Sequence, residues 1–181
     1  MTTTALPGFD SPVIGFEQPF EMLEACHDRV RRSLALLGRL IEHIDRHGHD
    51  DKSRGAASDV LRYFDIAAPL HHQDEERHVF PMLADSGDQL SAAVAGLRVD
   101  HERMEVLWGA LRVALIAWSG PDAAGEIGDD VRAQASRYEQ LYGRHLLIEE
   151  NLVFPASRAQ MDSGRLGEMS VEMQRRRRGT G

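Results

Sequence analysis

Cysteine is almost absent from this sequence. Cys26 stands alone, so no intramolecular disulfide can form. A thiol-poor chain suits a reducing compartment, and the expected location is cytoplasmic. Aromatic residues are scarce, at 6%. Long apolar runs are missing as well: no window nears the ~18 uncharged residues of a membrane span. Met1 to Phe16 holds neither a basic stretch nor an apolar core and does not read as a secretory signal. There is no cationic excess. The net charge of −8 argues against a nucleic-acid partner. Arg175–Arg178 is a local exception, and its place near the end reads as a solvated, mobile tail. No nucleophile triad, phosphate-binding loop or evident substrate-binding pattern is present.

What is present is helical periodicity. The expected architecture is all-α: an up-down-up-down four-helix bundle over residues 17–158, after an irregular leader at 1–16 and before a short helix and basic tail at 159–181. In the first helix, Leu23, His27, Val30, Leu34, Leu37, Ile41 and Ile44 recur at three- and four-residue steps. Helices are expected near 17–47, 53–83 and 89–118, and from somewhere between Pro121 and Asp130 to Phe154. Pro69 falls inside the second, where a bend or break is expected. A further short helix is expected near 166–174.

The chain is organised around a stretch that occurs twice. His71–Pro81 and His145–Pro155 both read H-x-x-x-E-E-x-x-x-F-P. A histidine and a glutamate four apart share one helix face. His71 with Glu75, facing His145 with Glu149, would surround a common point with two imidazoles and two carboxylates, a first shell for a pair of metal ions. His72 and Glu76 are also four apart, but the repeat selects His71 and Glu75. Residues 72 and 76 then point ~100° away, and their replacement by alanine should do little.

His27 on the first helix and His101 on the third complete the set. Counted from the connecting loops, neighbouring histidines match in height; His27 and His71 both lie roughly 30 Å from the first loop. Four inward histidines with inward glutamates would bury several charges, and a bound cation would compensate them. The parallel second and fourth helices let Glu75 and Glu149 meet as bridges. Glu105, four after His101, lies on the other side of the layer, where it either caps one metal or pairs with Arg31.

His27 in C-H-D-R-V, His101 in D-H-E-R-M and the two H-x-x-x-E-E…F-P stretches resemble the hemerythrin-like, or HHE cation-binding, family over about residues 17–158. The resemblance implies a non-heme di-iron centre: His27 and His71 on one iron, His101 and His145 on the other, Glu75 and Glu149 bridging. In the family's oxygen carriers the position of Glu105 is a histidine. Those carriers also space the last histidine and acid five apart, which would select Glu150; the repeat favours Glu149. A nitrogen and oxygen shell suits iron, with zinc or manganese as alternatives. Dioxygen or nitric oxide is the expected small-molecule partner. Binding or sensing of a small ligand or redox state, iron storage or donation or iron–sulfur repair, peroxide or oxygen reduction and a purely structural metal site all fit this pattern.

Overall fold

A computed structural model describes residues 15–178. The expected leader at 1–16 lies almost wholly outside the described residues. Among these residues the chain is helical and contains no strand. Helix α1 spans Pro19–His47, with proline in its first turn, where the missing N–H costs nothing. Gly48, at φ 75°, stops it in a conformation that favours glycine.

The second run is built from α2 (Asp51–Arg62), a π turn at Tyr63–Ala67, α3 (Ala68–Asp74), a second π turn at Glu75–Val79 and a 3₁₀ turn at Phe80–Leu83. Asp50 caps α2: its side chain accepts from the Ser53 backbone N–H, and the Ser53 side chain pairs with the Asp50 backbone in return. Helix α4 spans Asp88–Ser119. Helix α5 covers Asp129–Ile148 and passes through a third π turn, Glu149–Val153, into α6 (Phe154–Gln160). Helix α1 packs on α2 and α5, and α4 packs on the same two, closing a ring of four.

All three π turns end two residues before a proline: Pro69, Pro81 and Pro155. Proline lacks the N–H an α-helix needs and clashes with the carbonyl four residues earlier. One wider turn upstream absorbs the mismatch, so the chain stays helical where the sequence suggests a break at Pro69.

The C-terminus departs from the sequence-based expectation. Helix α7 runs Ser163–Arg178, through the arginine run. Arg176 and Arg177 both bond the carboxylate of Asp74, which is wholly buried; Arg177 Nη2 lies 2.6 Å from Asp74 Oδ2. Glu172 ties α7 to His78 at 2.8 Å and to Arg77 at 3.0 Å. Met169 and Met173 bury their side chains beside Phe20, Phe80 and Phe154. A buried acid on the bundle turns a basic tail into a docked helix.

The apolar core is divided. One cluster joins Val30, Leu34, Phe64, Met104, Leu111 and Tyr138; the other joins Phe20, Leu23, Val79, Phe80, Leu97 and Phe154. Between them, on every helix of the ring, lies a layer of histidine and glutamate.

Candidate metal centre

Each π turn from the repeats begins at a central glutamate: Glu75 opens the turn at Glu75–Val79 and Glu149 the turn at Glu149–Val153. His71 and His145 sit four residues earlier, on the last α-helical turn. Their Nε2 atoms stand 3.1 Å from Glu75 Oε1 and from Glu149 Oε1. His27 from α1 brings Nε2 to 3.2 Å from Glu149 Oε2 and 3.7 Å from Glu75 Oε1. His101 from α4 brings Nε2 to 3.5 Å from Glu75 Oε2 and 3.1 Å from His145 Nε2.

Each carboxylate therefore divides its oxygens. Glu75 turns Oε1 toward His27 and His71, and Oε2 toward His101. Glu149 turns Oε2 toward His27 and Oε1 toward His145. Two overlapping donor groups result: His27, His71, Glu75 and Glu149, and Glu75, His101, His145 and Glu149. Within each, the offered atoms lie within 4.8 Å of one another. All six residues are buried.

The polar atoms at the centre of this layer lack ordinary partners. His27 Nε2, both ring nitrogens of His71 and all four oxygens of Glu75 and Glu149 are buried without a hydrogen bond among the described residues. They approach one another without hydrogen-bond alignment. Buried polar groups are otherwise almost always satisfied, and desolvating several together is costly. A cation between them removes that cost, so the donor set fits metal ions.

Glu105 is not part of the cluster. Its neighbour Met104 takes the inward position on α4, and Glu105, one residue on, is rotated out to solvent. Nor does it pair with Arg31, whose Nη2 instead donates to both oxygens of Glu150 at 2.7 Å.

Residue 76, expected from the repeat to point away, has a partner at the centre. His101 Nδ1 donates to Glu76 Oε1 at 2.7 Å, and His27 Nδ1 donates to Glu150 Oε1 at 2.9 Å. Because an ionised carboxylate only accepts, the outer nitrogen carries the proton and Nε2 faces the centre. The phenylalanines act in parallel: Phe80 stacks on His101 with centroids 5.6 Å apart, and Phe154 stacks on His27 at 5.0 Å. The repeat thus has two jobs. Its histidine and first glutamate enter the centre. Its second glutamate and phenylalanine fix the histidine of a neighbouring helix. The doubled E-E and the shared F in both copies were the available signal. Glu76→Ala and Glu150→Ala should each weaken metal affinity about 10- to 100-fold, readable by competition with a chelator; unchanged affinity would reduce these pairs to packing.

His72 also has a place. It stacks on His101 with centroids 4.0 Å apart at 10°, and its Nε2 lies 3.3 Å from the Tyr142 hydroxyl. Cys26, next to His27 in sequence, is inert by comparison, since burial pushes its thiol up to about 11.

Charge at the centre is tightly balanced. For His27, burial opposes protonation, but the close carboxylates of Glu149 and Glu75 outweigh it and raise its pKa to about 10. Burial, then the neighbouring His145, lowers His101 to about 3. Burial drives His71 well below the usual histidine range, reinforced by His27. Burial and the charge of Glu149 push Glu75 up. Burial works the same way on Glu149, but His145 and His27 overcome it and hold Glu149 down.

Without a cation, the centre therefore keeps a proton on His27 at neutral pH, while burial and the charge of Glu149 bias Glu75 toward its protonated form. Cation binding must expel these protons. Calorimetry in buffers of different ionisation enthalpy should show proton release near pH 7, with the His27 proton part of it. Because the folded-state pKa of His27 is raised, its contribution is fully present below about 6.5 and fades as pH rises through about 10. The cation-free protein should lose stability over that range, and the loaded protein should not. A pH-independent stability difference between the two forms would contradict this balance.

A helical bundle with two overlapping buried histidine–glutamate groups defines a cation-binding protein of bundle type. Residues 18–157 match the family described as hemerythrin HHE cation binding domain, and the chain belongs to that family. An uncharacterized protein of Haemophilus influenzae is 34% identical over 163 residues, covering 90% of this chain and 91% of that protein. Uncharacterized proteins of Mycobacterium bovis and Mycobacterium tuberculosis are 29% identical over 133 residues, 71% of this chain. The alignment spans half the length of these mycobacterial relatives. No helix among the described residues is long and apolar enough to cross a membrane.

Proposed function

We propose that the centre holds two iron ions and binds dioxygen or nitric oxide. His27 and His71 would hold one ion and His101 and His145 the other, with Glu75 and Glu149 shared. The observation that carries this reading is the division of each carboxylate, one oxygen toward each histidine pair. Two shared carboxylates and two histidines give each ion four protein donors of nitrogen and oxygen type. That set suits six-coordinate iron with room for an outside ligand. Zinc in a structural site prefers a closed tetrahedron, commonly with sulfur, and the single thiol here is turned to packing.

Bound ferrous iron would supply an open position for a diatomic ligand and exchange of electrons with it. The chain's own contribution is to exclude water, to aim Nε2 of His27 and His101 inward through Glu150 and Glu76, and to keep two carboxylates desolvated. The position that the family's oxygen carriers fill with histidine is Glu105 here, and it faces solvent. The His101–His145 half is therefore one protein ligand poorer than in those carriers, which favours reactivity or sensing at that half over simple storage of oxygen.

Elemental analysis of protein made without a chelating tag, joined to absorption spectra under argon, in air and with nitric oxide, tests the reading. About two irons per chain with charge-transfer bands that change with the gas support it. Zinc, or a spectrum indifferent to both gases, would refute it.

A further inference from the structure

Helix α7 packs against α1 and α3, the helices that carry His27 and His71. Its polar contacts fall on one short segment. Arg176 bonds the Asp74 carboxylate, and its Nη1 donates to the Leu70 carbonyl at 3.4 Å and to Gln73 Oε1 at 3.3 Å. Arg177 Nη2 lies 2.6 Å from Asp74 Oδ2. Glu172 reaches Arg77 and His78. His71 and Glu75 are thus gripped from both sides, at residues 70 and 73–74 before the π turn and at 77–78 within it.

The second copy of the repeat is built differently at the same positions. Where the first has Gln73, Asp74 and His78, the second has Leu147, Ile148 and Leu152. Asp74 is wholly buried, whereas its counterpart Ile148 is 37% exposed and Leu147 is 59% exposed. Both copies enter a π turn at their first glutamate, and both lead to a proline. The ligands and the wide turn are therefore shared between the copies. The polar residues that receive α7 belong to the first copy alone.

We infer that α7 is a clamp on one half of the metal centre: Arg176 and Arg177, acting through Asp74 and the Leu70 carbonyl, position His71 and Glu75, and lifting α7 frees the ion held between His27 and His71 ahead of the other. A helix outside the ring, held largely by arginine–carboxylate contacts, opens before the ring itself does. The centre then exchanges one ion while it keeps the second. The count of two ions rests on the di-iron reading; the clamp on residues 70–79 does not.

Arg176→Gln with Arg177→Gln removes the grip and leaves the donor set untouched. Hydrogen exchange, read peptide by peptide on the metal-free full chain, tests the clamp whatever the ion. Amides at 70–79 should exchange about tenfold or more faster in the variant, and those at 144–153 should keep their wild-type rates. Glu172→Ala, a milder loss at the surface, should move the same segment by less; it carries the test should the double variant fail to fold. The second arm loads wild type and variant with iron(II) under argon, counts the metal, and adds excess chelator. Half of the variant's iron should leave about tenfold or more faster than from wild type, and the rest at the wild-type rate. Equal acceleration of both repeat copies, or of all the metal when two ions are bound, would make α7 a general stabiliser and overturn the inference. Unchanged exchange at 70–79, or unchanged release, would overturn it as well. A single ion per chain would remove the di-iron reading alone, and the exchange arm would still judge the clamp.

Discussion

Glu75→Gln is expected to strip both halves of the centre at once, although it changes one atom in one side chain. Glu75, like Glu149, turns its two oxygens to different histidine pairs, so its charge serves both donor groups. Metal content should fall to near zero, since the loss of a shared ligand exceeds the 10- to 100-fold typical of an orienting partner. Stability should divide by state. In the cation-free protein burial already pushes Glu75 toward its neutral form, so a neutral amide there costs little. In the loaded protein the variant forfeits the linkage contributed by the ions, about 4 kcal/mol when they are supplied at a thousand times their Kd. For a chain of this size that is roughly 8–16 °C in melting temperature. Glu149→Gln should behave alike in metal content. Retention of metal by either variant would place any bound ion elsewhere.

The second large effect lies outside the centre. Asp74→Ala removes the buried carboxylate that both half-buried arginines, Arg176 and Arg177, engage, while Arg176 keeps its contact with Glu172 at 2.7 Å. Losing hydrogen bonds to a charged group typically costs about 1.5–3 kcal/mol. Helix α7 should loosen, exposing Met169 and Met173, and proteolysis within Arg175–Arg178 should accelerate. Urea denaturation and timed digestion would show it. A loss below about 1 kcal/mol would mean that the arginines behave as the solvated run their position in the sequence suggests.

That contrast marks where sequence reasoning stops. The ring helices and the layer of His27, His71, His101 and His145 were legible because period and loop distance are properties of one chain segment at a time. The internal repeat placed Glu75 and Glu149 by the same logic. The fate of Arg176 was not legible, because it depends on a single acid about a hundred residues away that happens to be buried. Glu105 misses the inward face of α4 by one position, because Met104 is apolar and takes the inward place. The π turns are a subtler omission. Proline inside a helix signals disruption, but not whether the chain breaks or widens. At Pro69, Pro81 and Pro155 it widens.

The histidine–glutamate layer also cuts the apolar interior in two, and this bears on how the molecule opens. A bundle with one continuous core exchanges its amide protons as a single cooperative block. Here the Phe20–Leu97 end and the Leu34–Tyr138 end meet only across a polar cross-section. With the cross-section clamped by ions, both ends should exchange together. With it empty, the seam becomes a fault plane: the two ends are free to open as separate foldons, and hydrogen exchange should split into two free-energy classes along it.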